Sequence, residues 1–405
     1  MRSCLESIPD DTRRVFVAFS GGLDSSVLLH LLLSEARKFE IIAWHINHGL
    51  VKNAAGMEQF CIEQTRTYGL ELRIDRLDLA TVDSNIEAVA RDQRYRLFEQ
   101  QTQAGDCVLT AHHADDQAET FLLNALRGAG VAGLRGIARQ RKLGDAWLIR
   151  PLLAFSRAQL EHYANQHEIA WYNDPSNQNP RFDRNYLRQQ VVPMIKNRWP
   201  GYHDALLTSC EIQSETQLML DELALRDYGD LHIPVPGKLA RLDVAGMLLL
   251  SPARCKNLVR YWIARAGQAP LPHARLQEMM QQLQARPDAV PEIAMPDYSI
   301  RVYDRQLFLV LNEPDRNCGG VFEFGQRQDI EIPSLDLQLT RQQLFQQLGL
   351  EDRHQTLCLR FRLKGETNAD SHRLKRLFQH HRVPPWERDS TAQVYLDGRL
   401  EGLLR

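Results

Sequence analysis

Residues 15–26, Val15-Phe16-Val17-Ala18-Phe19-Ser20-Gly21-Gly22-Leu23-Asp24-Ser25-Ser26, constrain this chain more than any other stretch. Five consecutive apolar residues, two of them β-branched, predict a strand buried on both faces, the kind found in parallel sheets. A Ser-Gly-Gly turn follows. Val27, Leu28, Leu31 and Leu32 then recur at helical spacing, so a helix is expected to begin near Asp24 or Ser25. A strand, a glycine turn and a helix N-terminus together make an anion site. The glycines admit close backbone approach, and free N–H groups and the helix dipole face the anion. The hydroxyls of Ser20, Ser25 and Ser26 can add donors. No Gly-Lys-Ser/Thr follows, so this is not a Walker loop. Asp24 stands where a positive charge would otherwise help, which makes sense if its carboxylate holds Mg²⁺ against phosphates.

The stretch Ser-Gly-Gly-Leu-Asp-Ser-Ser resembles the PP-loop of the N-type ATP pyrophosphatases. That resemblance implies cleavage of ATP between the α and β phosphates, with Ser20, Gly21, Gly22, Leu23, Asp24 and Ser25 cradling pyrophosphate.

Downstream, residues 41–46, 70–77 and 107–111 read as three further strands separated by helical stretches. Alternating strands and helices predict an α/β fold with a doubly wound parallel sheet. Ligands on such sheets bind beyond the carboxyl ends of the strands. The turn at 19–22, the polar run His45 to Gly49 and residues 112–119 all fall at such ends. Arg91 and Arg94 share a helix face. A solvated charged face and an arginine steadying charge on an α-phosphate are both open readings there. Asp116 and Glu119 point the same way at i, i+3. Dipole-favoured acids at a helix start, a His/Asp metal site and a carboxylate pair for a cationic substrate are the three readings; we prefer the last. Residues 127–136, glycine-rich and basic, read as a flexible loop able to close on an anion.

Net charge is −2, so only local patches can attract a polyanion. Arg181, Arg184 and Arg188 are expected along one helix face beside the aromatic pair Trp171-Tyr172, a composition suited to RNA backbone and unstacked bases. A second basic stretch spans residues 353–388, with a short amphipathic helix around Lys375 and Arg376. An acidic linker helix is expected over 210–230. Residues 239–311 read as mostly helical and ending in strands over 300–311. The expected division is 1–210 for an ATP-binding catalytic domain, 211–315 for a helical RNA-binding domain, and 316–405 for a small basic α+β domain. Seven scattered cysteines without a C-x-x-C favour reduced thiols in the cytosol. The first residues carry no secretory apolar core, and no run is long enough for a membrane span.

Taken together, these residues resemble the bacterial tRNA(Ile)-lysidine synthetases. The match covers residues 20–25, His45-Ile46-Asn47-His48-Gly49-Leu50, Glu87 with Arg91, Arg94 and Tyr95, and His112-His113-Ala114-Asp115-Asp116-Gln117-Ala118-Glu119-Thr120. It continues through Arg127-Gly128, Arg150-Pro151-Leu152-Leu153, Asp174, Arg184-Asn185, the basic run at 375–378, and Pro384-Pro385-Trp386. Asn173 and Leu363-Lys364-Gly365 depart from the family pattern. The resemblance implies that ATP activates the wobble cytidine of a CAU-anticodon isoleucine tRNA as an adenylate. Free lysine then displaces AMP, and decoding shifts from AUG to AUA. It further implies Asp24, Arg91, Asp116 and Glu119 as catalytic residues, with Asp116 and Glu119 receiving lysine. Arg184, Arg188, Lys375 and Arg376 would touch tRNA, and ATP with Mg²⁺ on Asp24 would be the cofactors. A PP-loop tRNA thiolase would need suitably spaced cysteines, which are missing. A non-catalytic tRNA-binding relic would not need intact Asp24, Asp116 and Glu119.

Overall fold

The computed structural model describes residues 2–34, 39–47, 49, 54–77, 86–173, 183–235, 239–283, 292–312, 320–325, 329–332, 337–351, 356–361 and 371–404. His48, Leu50, residues 174–182 with Asp174 and Arg181, Gly319, and Leu363-Lys364-Gly365 lie outside them, as does the side chain of Glu87. The chain divides into two compact units, Met1–Met219 and Leu220–Arg405.

The first unit is built on a six-stranded sheet of order β3-β2-β1-β4-β6-β5. Its strands are β1 Arg14–Ala18, β2 Glu40–Asn47, β3 Glu71–Arg76, β4 Asp106–Leu109, β5 Gln140–Leu143 and β6 Ala146–Ile149. β1 runs parallel to both β2 and β4, and β6 runs parallel to β4. β5 is an antiparallel edge strand joined to β6. The helices are α1 Leu23–Leu33, α2 Ala54–Tyr68, α3 Ile86–Gln101, α4 Ala114–Leu126, α5 Val131–Leu134 and α6 Arg157–Gln166.

The burial of β1 explains why it reads as continuous apolar sequence. Val15 and Val17 enter one core with α1 and α6, while Phe16 and Ala18 join a second core containing Trp44 and Phe98. α1 is apolar all round because it is covered all round: Leu23, Val27, Leu28, Leu29, Leu31 and Leu32 are all buried. Arg14 forks onto Asp106 across β1 and β4, at 2.8 and 2.6 Å, and so pins the amino ends of the two central strands. The connections from β1 and β4 leave toward opposite sides of the sheet. Their carboxyl ends therefore open the crevice that the strand order predicts for a ligand.

The hairpin β5–β6 has no counterpart in the expectations. The glycine-rich stretch 127–136 is also not a free loop. It folds into the single turn α5, and the Gln117 side chain accepts from Ile137 N at 2.5 Å and donates to Ile137 O at 3.2 Å. Asn124 donates to Gly133 O at 2.7 Å. These two side chains of α4 tie the segment down, which a reading of glycine content alone misses.

The expected linker helix is longer than its acidic core, running Tyr202–Leu231, and the division between units falls inside it. In the second unit, helices Pro252–Arg265 and His273–Leu283 pack with a five-stranded sheet that includes Tyr298–Tyr303 and Gln306–Leu311. The last segment adds a four-stranded antiparallel sheet and helix Ser371–His380. Trp386, from its proline turn, packs edge-on against Phe308 at 5.2 Å between ring centres, and Arg382 pairs with Asp304 at 3.0 Å. Among the described residues no helix is long and apolar enough to cross a membrane. Cys61, Cys107, Cys210, Cys255 and Cys358 are free thiols.

Candidate active site

After β1 the backbone turns through Gly21 at φ +79°, a conformation that favours glycine. A Cβ there would also meet Phe60 Cδ1 at 3.0 Å and Cys61 Sγ at 3.1 Å, so the position is closed to larger residues on two counts. Gly21 O accepts from Tyr172 N at 2.8 Å, which fixes the far side of the turn. Gly22 is the N-cap of α1 and has no capping side chain, leaving first-turn N–H groups available to an anion. Ser20 Oγ lies 3.1 Å from Ser25 Oγ, and Ser25 Oγ donates to Gly22 O at 3.0 Å. Both hydroxyls are thus held at the mouth of the turn.

One strand away, α4 starts at the carboxyl end of β4. Four acids gather between the two helix starts: Asp24 on α1, and Asp115, Asp116 and Glu119 on α4. Their counter-charges come from three places. Arg157, opening α6, donates to Asp24 at 3.0 and 3.3 Å, and its backbone N–H donates to Asp115 at 2.8 Å. The buried His113 ring sits 3.5 Å from Asp115, 3.5 Å from Asp116 and 3.7 Å from Asp24. Arg188 forks onto Glu119 at 2.7 and 3.0 Å and reaches Asp116 at 3.3 Å.

This arrangement sets the protonation states. Burial alone would depress His113, but Asp115, Asp116 and Asp24 outweigh it and push the imidazole above its ordinary range. Burial likewise works against the Asp116 carboxylate, yet His113, the His113 N–H and Arg188 hold it low. Glu119 moves the other way. Burial dominates, Arg188 offsets only part of it, and Glu119 is held above the ordinary carboxylate range. Asp24 is also raised, by burial, against the opposing pull of His113 and Arg157. His112, which contacts Thr110 Oγ1 at 2.9 Å, is pushed down to about 3 by burial and is neutral.

The raised pKa of His113 has a consequence for stability. A group whose folded pKa exceeds its unfolded one stabilises the fold below the unfolded pKa and loses that contribution as pH rises through the folded pKa. The wild-type melting temperature is therefore expected to fall as pH climbs from about 6.5. His113→Gln should flatten that segment of the profile. Thermal melts from pH 6 to 9 on both proteins check this; a parallel decline in the variant would remove His113 as the cause.

Placement of the expected residues differs in one respect. Arg184 and Arg188, expected as a row facing RNA, are turned onto α4: Arg184 donates to Thr120 Oγ1 at 3.0 Å, and Arg188 is committed to Glu119 and Asp116. The cause is local. The stretch 183–198 widens into a π-helical turn at Leu187–Val191, just before Pro193, which has no N–H for the preceding turn. The widened turn carries Arg188. Asp116 and Glu119 are consequently neutralised in part by Arg188. Arg91 is exposed on α3, its guanidinium 5.7 Å from the Tyr95 ring centre. Lys375 and Arg376 are exposed on helix Ser371–His380, whose Leu374 and Phe378 are buried, as an amphipathic helix requires. His113 and Arg157 are site residues to which the sequence assigns no role. His113 had a signal in its place between β4 and α4, whereas the partner of Arg157 lies 133 residues away.

Residues 2–195 match the family model for a PP-loop domain. Residues 242–308 match the TilS substrate binding domain, and 356–401 the TilS substrate C-terminal domain. The tRNA(Ile)-lysidine synthase of Serratia proteamaculans is 36% identical over 96% of this chain and 90% of its own length. The chain belongs to the tRNA(Ile)-lysidine synthase family. The Alkalilimnicola ehrlichii family member is 38% identical over 92% of this chain and 85% of its own, and that of Coxiella burnetii 34% over 95% and 87%. Membership covers the catalytic unit and both later segments. The acids of α4 and the turn after β1 thus belong to a member of a family that forms lysidine on an isoleucine tRNA.

The donor set around Asp24 fits Mg²⁺ carried on phosphates. It offers one carboxylate beside two serine hydroxyls and open N–H groups, not an all-protein cage, and Mg²⁺ characteristically takes one or two carboxylates plus substrate oxygens. Asp24 would hold it in exchange for its contact with Arg157.

Proposed function

We propose that this chain uses ATP to attach free lysine to carbon 2 of a cytidine in an isoleucine tRNA, forming lysidine. The observation that carries the reading is the pairing of an anion turn with a carboxylate pair across one strand spacing, in a chain of this family. ATP is the energy source and tRNA the macromolecular substrate. The wobble position of a CAU anticodon is the target. Residues 1–210 would do the chemistry, while 211–315 and 316–405 hold the RNA. The setting is the cytosol.

In the first half-reaction the cytidine O2 attacks the α-phosphorus, the bond to the bridging oxygen breaks, and pyrophosphate leaves. Gly21, Gly22 and Leu23 let the backbone close around that pyrophosphate, with Ser20 and Ser25 adding hydroxyl donors. Mg²⁺ on Asp24 would neutralise phosphate charge. Arg91 would steady the adenylate. In the second half-reaction the lysine amine attacks carbon 2 and AMP departs with O2. The ammonium, with an ordinary pKa of about 10.4, must lose a proton first. The two acids have different environments and so different tasks. Asp116, held low, stays ionised and anchors positive charge. Glu119, held high, is the better proton acceptor.

The direct test is product analysis. Incubation with ATP, labelled lysine and the isoleucine tRNA, followed by digestion to nucleosides, should place the label on a modified cytidine. Label released by mild alkali, as from an aminoacyl ester, would contradict the proposal.

Lys375 and Arg376 give a second expected result. If they touch backbone phosphates, Lys375→Ala with Arg376→Ala should flatten the log-affinity against log-salt slope for tRNA by up to about 1 per charge. An unchanged slope would make this helix face merely solvated.

A further inference from the structure

Beyond the turn after β1 and the acids of α4, the first unit holds a second concentration of charge of opposite sign. Four arginines surround Tyr95. Arg150, buried after β6, donates from Nη2 to Tyr95 Oη at 3.2 Å and from Nη1 to Ala138 O at 2.6 Å. The guanidinium carbons of Arg94, Arg141 and Arg91 lie 5.5, 4.8 and 5.7 Å from the Tyr95 ring centre. Arg91 and Arg141 are exposed, Arg94 is half-buried and Arg150 is buried, so the four grade from mouth to floor. None is bonded to a carboxylate among the described residues. The Nε atoms of Arg94 and Arg150 are buried and have no hydrogen-bond partner.

Structural arginines in protein interiors are ordinarily paired with acids, because an uncompensated buried charge is costly. Among the described residues one phenol faces four guanidinia. Even complete ionisation of Tyr95 would neutralise only one of them. Burial depresses both Arg94 and Arg150 and Tyr95 offsets part of it, while Arg91 lowers each further, as do Arg150 on Arg94 and Arg141 on Arg150. A cationic funnel with free N–H groups at its floor is a site for an anion supplied from outside.

We propose that Arg91, Arg94, Arg141 and Arg150 form a phosphate-binding funnel that receives a backbone phosphodiester of the RNA beside the nucleotide being modified. The assignment rests on the function proposed above. The sheet order tells the two phosphate chemistries apart. The anion turn follows β1, Arg150 follows β6, and β4 lies between them. At the usual strand spacing their carboxyl ends stand roughly 10 Å apart. The α-phosphate of ATP is bonded directly to the pyrophosphate held at β1, so it is the backbone of the incoming RNA that extends toward β6. His112 lies within reach of both clusters, since Asp116 raises its pKa while Arg150, Arg94 and Arg91 lower it. An unstacked nucleotide entering between them brings its flanking phosphates with it, and guanidinium forks suit phosphate oxygens. Arg91 would then stand where the two chemistries meet, at the mouth of the funnel and beside the adenylate.

The test measures tRNA affinity without ATP across a salt series, and ATP affinity without tRNA, on the full chain. Arg141→Gln sits on the exposed hairpin edge and removes one charge without opening a core. It is expected to weaken tRNA binding several-fold at low salt, to flatten the salt slope by about 0.7, and to leave ATP affinity unchanged. Arg94→Lys keeps the charge but loses the fork, and should weaken binding with the slope near wild type. If the slope for Arg141→Gln matches wild type, the proposal is overturned. If ATP affinity falls while the tRNA slope holds, the phosphate belongs to the nucleotide and the RNA assignment is equally overturned. A wild-type chain that binds tRNA no better than other polyanions would instead bring down the proposed function, and the funnel with it.

Discussion

Asp24→Asn is expected to abolish tRNA-dependent pyrophosphate release while leaving tRNA affinity intact. Asp24 is the acid of the first turn of α1, and its carboxylate meets Arg157 and His113 beside the turn that would hold the phosphates. The amide keeps the volume and one acceptor but loses the charge that would carry Mg²⁺. Removing a single electrostatic stabiliser from a catalytic site costs about 10²- to 10³-fold in rate. Folding should survive, because Asp24 is partly exposed and the variant relieves the burial that already disfavours its ionised form. Arg157 and His113 would lose one acid partner but retain Asp115. Pyrophosphate release within a few-fold of wild type would remove Asp24 from the reaction.

Glu119→Gln should separate the two half-reactions. The adenylated tRNA should still form, whereas lysine transfer should need about ten- to a hundredfold more lysine, the equivalent of losing one charge-assisted contact of about 1.5–3 kcal/mol. The fork from Arg188 makes the experiment more informative than sequence suggested. In the structure a guanidinium occupies the pair that the incoming ammonium would use, so lysine must share the two acids with Arg188 or displace it. Asp116→Asn is expected to weaken lysine as well, and also to lower the pKa of His113 by removing one of its three acid neighbours. Quench-flow assays of pyrophosphate and AMP release on the same samples resolve the steps. If both variants lose pyrophosphate release as fully as Asp24→Asn, with no separate lysine defect, the pair serves the nucleotide instead.

How much of this was legible depended on how far apart the partners lie. β1, the glycine turn and α1 are one continuous stretch, and local rules suffice: an apolar run buried on both faces, a glycine at positive φ, an open N-terminus. The i, i+3 geometry of Asp116 and Glu119 is equally local. The hairpin escaped because Gln140–Leu143 is an exposed edge whose residues neither alternate nor concentrate apolar side chains. It exists through pairing with Ala146–Ile149, a segment that β4 covers. The neutralising partners escaped for the same reason. Arg188 lies 69 residues from Glu119, and an arginine row reads the same whether it faces RNA or a carboxylate. The π-helical turn that aims it inward left only Pro193 as a trace. Arg94 and Arg150 are both motif residues, but that they share Tyr95 with no acid bonded to them among the described residues is visible only once β6 is placed beside β4.

The order of product release tests the central claim most directly. Wild-type protein incubated with the isoleucine tRNA and ATP in the absence of lysine should release pyrophosphate up to about one equivalent per tRNA and no free AMP beyond slow hydrolysis. Adding lysine should then release AMP as lysidine appears on the cytidine. Pyrophosphate release that requires lysine from the start, or AMP and lysidine formed without a tRNA-bound adenylate, would contradict the account.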